Sequence, residues 1–339
     1  MLYGVFDHLD RGAQPLGDFY NARLELIEAY ERAGFYAYHL AEHHATPIGM
    51  APSPNVFLSA VAQRTRRLRF GPLVYALPLH HPLRLIEEIC MLDQMSGGRL
   101  EIGFGRGAST IENSFFGRKP ADAERVYTEA LDIVLRGLAE RKVNFSGEFF
   151  SFKDVPLALE PLQTPHPPVW YGVHSVESAH RAARRGLNIV SLDSAEETRD
   201  FAAAYRQTWR ELNGERAMPK IGLSRFVVIA ENAGEALDTA RRAYAMWRRS
   251  FYYLYSTFGG APKHPRPPTF EELMEAGEGV AGTPEEVFGF FEQQLGKSTV
   301  TYLIGQFAFG DLTLAESLRS LDLFTRYVMP ALKSADDDA

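Results

Sequence analysis

Phe35-Tyr36-Ala37-Tyr38-His39-Leu40-Ala41-Glu42-His43-His44 decides the fold, because a short aromatic and apolar run ends abruptly in three titratable side chains. Just before it, residues 18–33 carry apolar side chains at helical spacing and Gly34 breaks the pattern, so the segment reads as a helix followed by a buried strand. Titratable residues at a strand exit are where parallel α/β folds keep their chemistry. The adjacent histidines invite a metal reading. Successive side chains on extended backbone point to opposite faces, however, so His43 and His44 would not easily share one ion, and no metal site is expected.

The same rhythm runs through the rest of the chain. Strand-like runs fall at 2–6, 36–41, 68–76, 100–104, 169–172, 188–191, 221–230 and 299–304. Helical patterns lie between them at 55–64, 82–94, 121–140, 177–185, 196–212 and 233–255, with another at 314–327 after the last strand. Eight alternating units over this length predict an α/β fold built as a closed (β/α)8 TIM barrel, with a doubly wound open sheet as the alternative. Insertions follow the fourth and seventh strands, at 143–168 and in a Gly/Pro-rich region. The second contains Gly259-Gly260-Ala261-Pro262-Lys263-His264-Pro265-Arg266-Pro267-Pro268 and is expected to form a mobile lid over 257–282. A single barrel domain is expected over 1–333, followed by a solvated acidic tail, 334–339.

With 45% hydrophobic and 23% charged residues in 339, the chain has the composition of a soluble globular enzyme. A net charge of -7 argues against a nucleic-acid partner, and the densest basic run, Arg64-Thr65-Arg66-Arg67-Leu68-Arg69, reads as a solvated helix end. Cys90 is the only cysteine, which excludes an internal disulfide and suits a reducing cytoplasm. The chain opens on a strand with no basic-then-apolar leader, and no apolar stretch reaches membrane-spanning length, so neither export nor a membrane partner is expected.

Three further segments carry chemistry. Gly103-Phe104-Gly105-Arg106-Gly107-Ala108 follows a strand, but Glu124, at the distance of a ribose carboxylate, falls in a helical pattern, so a dinucleotide site is disfavoured. What remains is a glycine-lined turn holding Arg106, whose planar fork suits a phosphate; a tight turn with a surface arginine is the plainer alternative. In Val173-His174-Ser175-Val176-Glu177-Ser178, Ser175 stands at a helix N-terminus with Ser178 one turn on, a place that favours an anion and equally suits a plain cap. His80 and His81 precede Pro82 and are expected to cap the next helix.

Taken together, the segments resemble the bacterial luciferase-like family of flavin-dependent monooxygenases over most of the chain. Glu42-His43-His44, Leu77-Pro78 through His81-Pro82-Leu83-Arg84, and Leu92-Asp93-Gln94-Met95-Ser96-Gly97-Gly98-Arg99 carry the resemblance in order and spacing. Gly103 to Gly107, Gly282-Thr283-Pro284-Glu285-Glu286 and Val328-Met329-Pro330-Ala331-Leu332-Lys333 extend it. The resemblance implies a two-component monooxygenase that takes reduced FMN from an NAD(P)H-dependent flavin reductase. Reaction with O2 would give a C4a-peroxyflavin that oxygenates a small organic substrate, and a homodimer is implied through helices near 55–62 and 82–92. By position, Arg106, Arg125, Ser175 and Ser178 would hold the FMN phosphate with His174 beside them, and Gly105 and Ala108 would border the cofactor. Leu73-Val74 matches a non-proline cis peptide beneath the flavin ring. His43 matches the family's catalytic histidine, a general acid/base role that an ordinary imidazole pKa of about 6.5 allows, with Glu42 orienting the site from behind. Gly105 stands where luciferase carries a cysteine, and Leu192 where it has a tryptophan, so a reshaped pocket is expected and neither long-chain aldehyde nor light emission is implied. Two alternatives remain: a deazaflavin-dependent hydride-transfer oxidoreductase of the same superfamily, and a non-catalytic flavin-binding protein.

Overall fold

Twelve strands occur in the computed structural model, which describes residues 1–107 and 109–337. They are β1 (Leu2–Asp7), β2 (Ala37–Leu40), β3 (Arg69–Pro72), β4 (Tyr75–Ala76), β5 (Ile102–Gly105) and β6 (Lys142–Ser146). The others are β7 (Ser151–Pro156), β8 (Val169–Gly172), β9 (Asn188–Ser191), β10 (Ile221–Ile229), β11 (Gly279–Gly282) and β12 (Tyr302–Gln306). Parallel pairing runs in the order β3-β2-β1-β12-β10-β9-β8-β5-β4. The two ends, β3 and β4, are halves of one stretch, and a parallel bridge joins Phe70 to Leu100, so the sheet comes back on itself as a barrel. The architecture is therefore the (β/α)8 barrel, and the open-sheet alternative falls away.

Alternation along the strands makes the two layers. Tyr3, Val5, Tyr38, Leu40 and Leu303 turn outward into the large core shared with the helices. Phe6, Ala41, Trp170, Val190, Tyr302 and Ile304 turn inward and fill the barrel. A Cβ at Gly4 would fall 1.7 Å from the Tyr302 hydroxyl, so a glycine on β1 is what admits that ring. Tyr302 in turn shares a 2.9 Å hydrogen bond with His39 Nε2. Buried Glu101 accepts from Trp170 Nε1 (2.5 Å), the Tyr36 hydroxyl (2.5 Å) and Arg69 Nε (2.7 Å). The barrel interior is thus packed and hydrogen-bonded, and the open end at the strand C-termini is where a site can form.

Two sequence expectations change, and one insertion gains a defined structure. The run 68–76, read as one strand, is divided at a cis Leu73–Val74 peptide; β3 pairs with β2 and β4 with β5. The insertion after the fourth barrel strand contains an antiparallel hairpin, β6–β7. The range 257–282 is not one lid: Thr257 and Phe258 end the helix Ala233–Phe258, Phe270–Glu275 is a short helix, and β11 is a fully buried strand parallel to β10. The apolar Gly279-Val280-Ala281-Gly282 sequence gains burial beside Phe226–Ile229, which leaves 259–269 as the irregular segment. At the C-terminus a helix over Met329–Asp337 carries the chain into the expected tail, whose last two residues lie outside the described ones. Among the described residues, no helix is long and apolar enough to cross a membrane.

Candidate active site

One cavity of about 330 Å³ opens at the C-terminal ends of the barrel strands. Its floor includes Phe6, Ala41, Leu73 and Val74, and its outer wall is Trp247, Phe251 and Leu254 of the helix Ala233–Phe258. Arg106, Lys263 and His174 border it, so one end of a mostly apolar space is basic.

Strand β2 delivers the opening triplet to this mouth, and the structure divides its members. Glu42 is buried; it accepts from Ala76 N–H (3.0 Å) and pairs with His44 Nε2 (2.8 Å) and His80 Nε2 (2.9 Å). Burial raises its carboxyl pKa, but the bonds from His44 and His80, the His80 charge and the Ala76 amide outweigh it and hold the group at about 2. Burial lowers the His80 pKa, yet the Glu42 bond and charge win and raise it. His80 therefore anchors Glu42 and does not cap; His81 holds the N-cap position, makes no side-chain cap bond and meets Phe150 and Phe152 edge-on. His44 also belongs to the scaffold, with its ring edge against Phe116.

His43 lines the cavity instead, and its Nδ1 lies 3.2 Å from Glu112 Oε1. The other Glu112 oxygen accepts from the His44 backbone N–H (2.9 Å). A carboxylate only accepts, so Glu112 fixes the proton of His43 on Nδ1 and leaves Nε2 free to exchange a proton. Glu112 sits in a short helix, Thr110–Phe115, that follows the glycine-lined turn. Ser109-Thr110-Ile111-Glu112 has the spacing of a capping box, and Ser109 does cap, but the carboxylate turns to the histidines and not back to its own N-cap amide. His8 was also missed, although it stands two residues beyond Phe6 and alternation puts both on the inner side of the barrel.

At the basic end, Arg106 is half exposed and bonds Glu124 at 2.6 Å. Ser175 and Ser178 form a reciprocal capping box at the start of the helix Val176–Arg184 and do not themselves line the cavity, whereas His174 next to them does and pairs with Asp193 at 3.0 Å. The His264 ring from segment 259–269 stacks on His174 with centroids 4.2 Å apart. Arg125 stands apart: it is exposed, bonds Glu148 and Asp122, and does not line the cavity. Ala108 lies outside the described residues. Leu73, Val74, Gly105 and Leu192 all line the cavity, and a Cβ at Gly105 would come 2.4 Å from Val74 Cγ2. The glycine at 105 is thus occupied by Val74, not by added free space.

A parallel barrel with a carboxylate-oriented histidine facing an apolar cavity at its C-terminal mouth is the arrangement of an enzyme. Residues 1–296 match the family model described as luciferase-like monooxygenase, and the chain belongs to that family of oxidoreductases. It is 42% identical over 319 residues to the uncharacterized protein y4wF of Sinorhizobium fredii, covering 94% of this chain and 93% of that one. It is 28% identical over 242 residues to the oxygenase component of the flavin-dependent trigonelline monooxygenase of Acinetobacter baylyi, covering 70% and 67%. Among solved structures, monooxygenase RslO1 of Streptomyces bottropensis superposes with a TM-score of 0.88 at 26% identity, covering 98% of this chain and 100% of that one. The oxygenating constituent of 3,6-diketocamphane monooxygenase of Pseudomonas putida, solved with FMN, shares the fold with a TM-score of 0.77 at 20% identity, covering 97% and 98%.

Proposed function

We propose that this protein is the oxygenase of a two-component system that uses reduced FMN, delivered by a separate NAD(P)H-dependent flavin reductase, and O2 to oxygenate a small apolar organic substrate. The observation that carries the reading is the single cavity joining a basic end at Arg106, Lys263 and His174 to an apolar end at His43 and Trp247. The residues present fit a flavin mononucleotide. The phosphate end would meet Arg106 and the N-terminus of the helix Val176–Arg184, and the ring would meet Leu73 and Val74. A family relative acts as an oxygenase component and a structural neighbour holds FMN, which supports the same cofactor and division of labour here. Such a system works in the cytoplasm, where the reductase finds its NAD(P)H.

When bound, reduced FMN supplies the two electrons that activate O2; one oxygen atom enters the substrate and the other leaves as water. The chain's own part is to bind, orient and keep water out. His43 Nε2 takes or returns a proton, Glu112 holds that imidazole in one tautomer, and Glu42 fixes the backbone of β4 beneath the site. Pro262, Lys263 and His264 of the irregular segment cover the mouth.

Anaerobic titration with reduced FMN should give one bound flavin per chain, and rapid mixing with O2 should then give a long-lived absorbance transient. Arg106→Ala should weaken that binding about tenfold or more, the value of one charge-assisted bond to phosphate. Failure to bind reduced FMN, or tight binding of a deazaflavin instead, would overturn the proposal. A homodimer is part of the same reading, because Val56, Met91 and Met95 lie exposed on the neighbouring helices Pro54–Arg64 and Pro82–Ser96. Sedimentation should show a dimer that Met91→Glu weakens; a monomer at every concentration would refute it.

A further inference from the structure

His8 leaves β1 directly into the cavity, and nothing described so far gives it a task. Its ring lies nearly parallel to that of His43, with centroids 5.9 Å apart and planes 21° from parallel. Phe6 and Trp247 meet it edge-on at 4.8 and 5.4 Å. The Trp247 indole N–H donates to His8 Nδ1 at 3.4 Å. An indole nitrogen only donates, so His8 Nδ1 must be the accepting nitrogen and a neutral His8 carries its proton on Nε2. Across the stack the logic is reversed: Glu112 fixes the His43 proton on Nδ1 and leaves Nε2 as the lone pair. Two stacked imidazoles at one cavity therefore have opposite polarity at Nε2, one a donor and the other an acceptor. Burial, the neighbouring His43 and then Arg266 all lower the His8 pKa well below the ordinary imidazole value, in keeping with a neutral ring.

Next to the two rings, the charged side chains already have partners. Glu112 is taken up by His43 and the His44 amide, and Arg266 by Glu278 at 2.7 Å. The wall beside them includes the apolar Ile48, Phe226, Trp247, Phe251 and Leu254, Gln306 bonds Ser224, and Arg106 and Lys263 line the cavity at its basic end.

We propose that His8 is a substrate-holding hydrogen-bond donor of this cavity, meeting an acceptor oxygen of an uncharged, largely hydrocarbon substrate while the His43 Nε2 beside it serves as acceptor. This rests on the reading of the cavity as the place where substrate binds, but not on which flavin occupies it. Trp247 is the positioning residue, because it fixes the tautomer that makes His8 a donor.

The test uses the flavin-free protein, so it stands apart from the cofactor reading. Nitrogen-15 spectra of the histidine rings should show His8 as the Nε2–H tautomer and His43 as the Nδ1–H tautomer at neutral pH. Cyclohexanone should bind roughly three- to tenfold more tightly than its isostere methylenecyclohexane, the worth of one neutral hydrogen bond. His8→Phe, which keeps an aromatic ring against Phe6 and Trp247, should erase that preference, and His8→Gln, which keeps a donor, should retain it. Trp247→Phe should allow His8 to populate both tautomers. An Nδ1–H tautomer for His8 in the native protein would overturn the proposal. So would the absence of any preference for the ketone, or a preference that survives His8→Phe.

Discussion

Replacing His43 by alanine is expected to lower substrate oxygenation by roughly 10²- to 10⁴-fold, the usual worth of a positioned general acid or base. FMN binding should change little in the same variant, because the basic end of the cavity, at Arg106 and His174, is built from other strand exits. The electrons from reduced FMN would then reach O2 without product, so hydrogen peroxide release should rise as oxygenation falls. Oxygenated product and peroxide are measured side by side with a compound the native protein turns over, and flavin affinity by fluorescence quenching. Loss of flavin binding in step with oxygenation would make His43 a cofactor contact and not a proton carrier. Equal loss in Glu112→Ala is not expected, since that change frees the imidazole tautomer and leaves the imidazole in place.

The contrast between His43 and His44 also marks how far the sequence could be read. The two histidines follow the end of β2, and alternation of successive side chains separates them in advance; the structure agrees that they part, since one lines the cavity and the other bonds Glu42. The eight-unit rhythm is equally legible, because buried parallel strands write continuous apolar runs between amphipathic helices. What stayed hidden were partners distant in the chain. Nothing near Glu112 says that its carboxylate crosses to His43, 69 positions away, when its local spacing points to a capping box. His80 looked like a cap for the same reason, yet buried Glu42 claimed its ring. β11 hid inside a stretch rich in glycine and proline, because four small or apolar residues become a strand only when β10 offers them an edge. Arg125, placed by resemblance at the phosphate, instead has acidic neighbours of its own in Glu148 and Asp122.

Glu42→Ala should be the largest stability change among the site residues. Its carboxylate is buried and serves the Ala76 N–H, His44 and His80 together, so its removal leaves three half-buried or buried donors without their acceptor. Breaking a buried ionic cluster by deleting one member costs about 3–5 kcal/mol, and at roughly 2 °C per kcal/mol for a chain of this size the midpoint should drop by about 6–10 °C. The sign of the pH dependence follows from the two shifts. Glu42 is held below its ordinary value of 4.5, so its share of stability is present above that pH and is lost as pH falls toward about 2. His80 is raised above its ordinary 6.5, so its share is complete below that pH and is lost as pH climbs through the raised value. Both contributions are whole only between the two ordinary values. Thermal melts of the native protein and Glu42→Ala across the pH range should therefore diverge most between about pH 5 and 6.5 and converge on either side. A difference that stays constant as pH rises above 6.5 would mean that Glu42 acts as a hydrogen-bond acceptor alone, with no charge shared with His80.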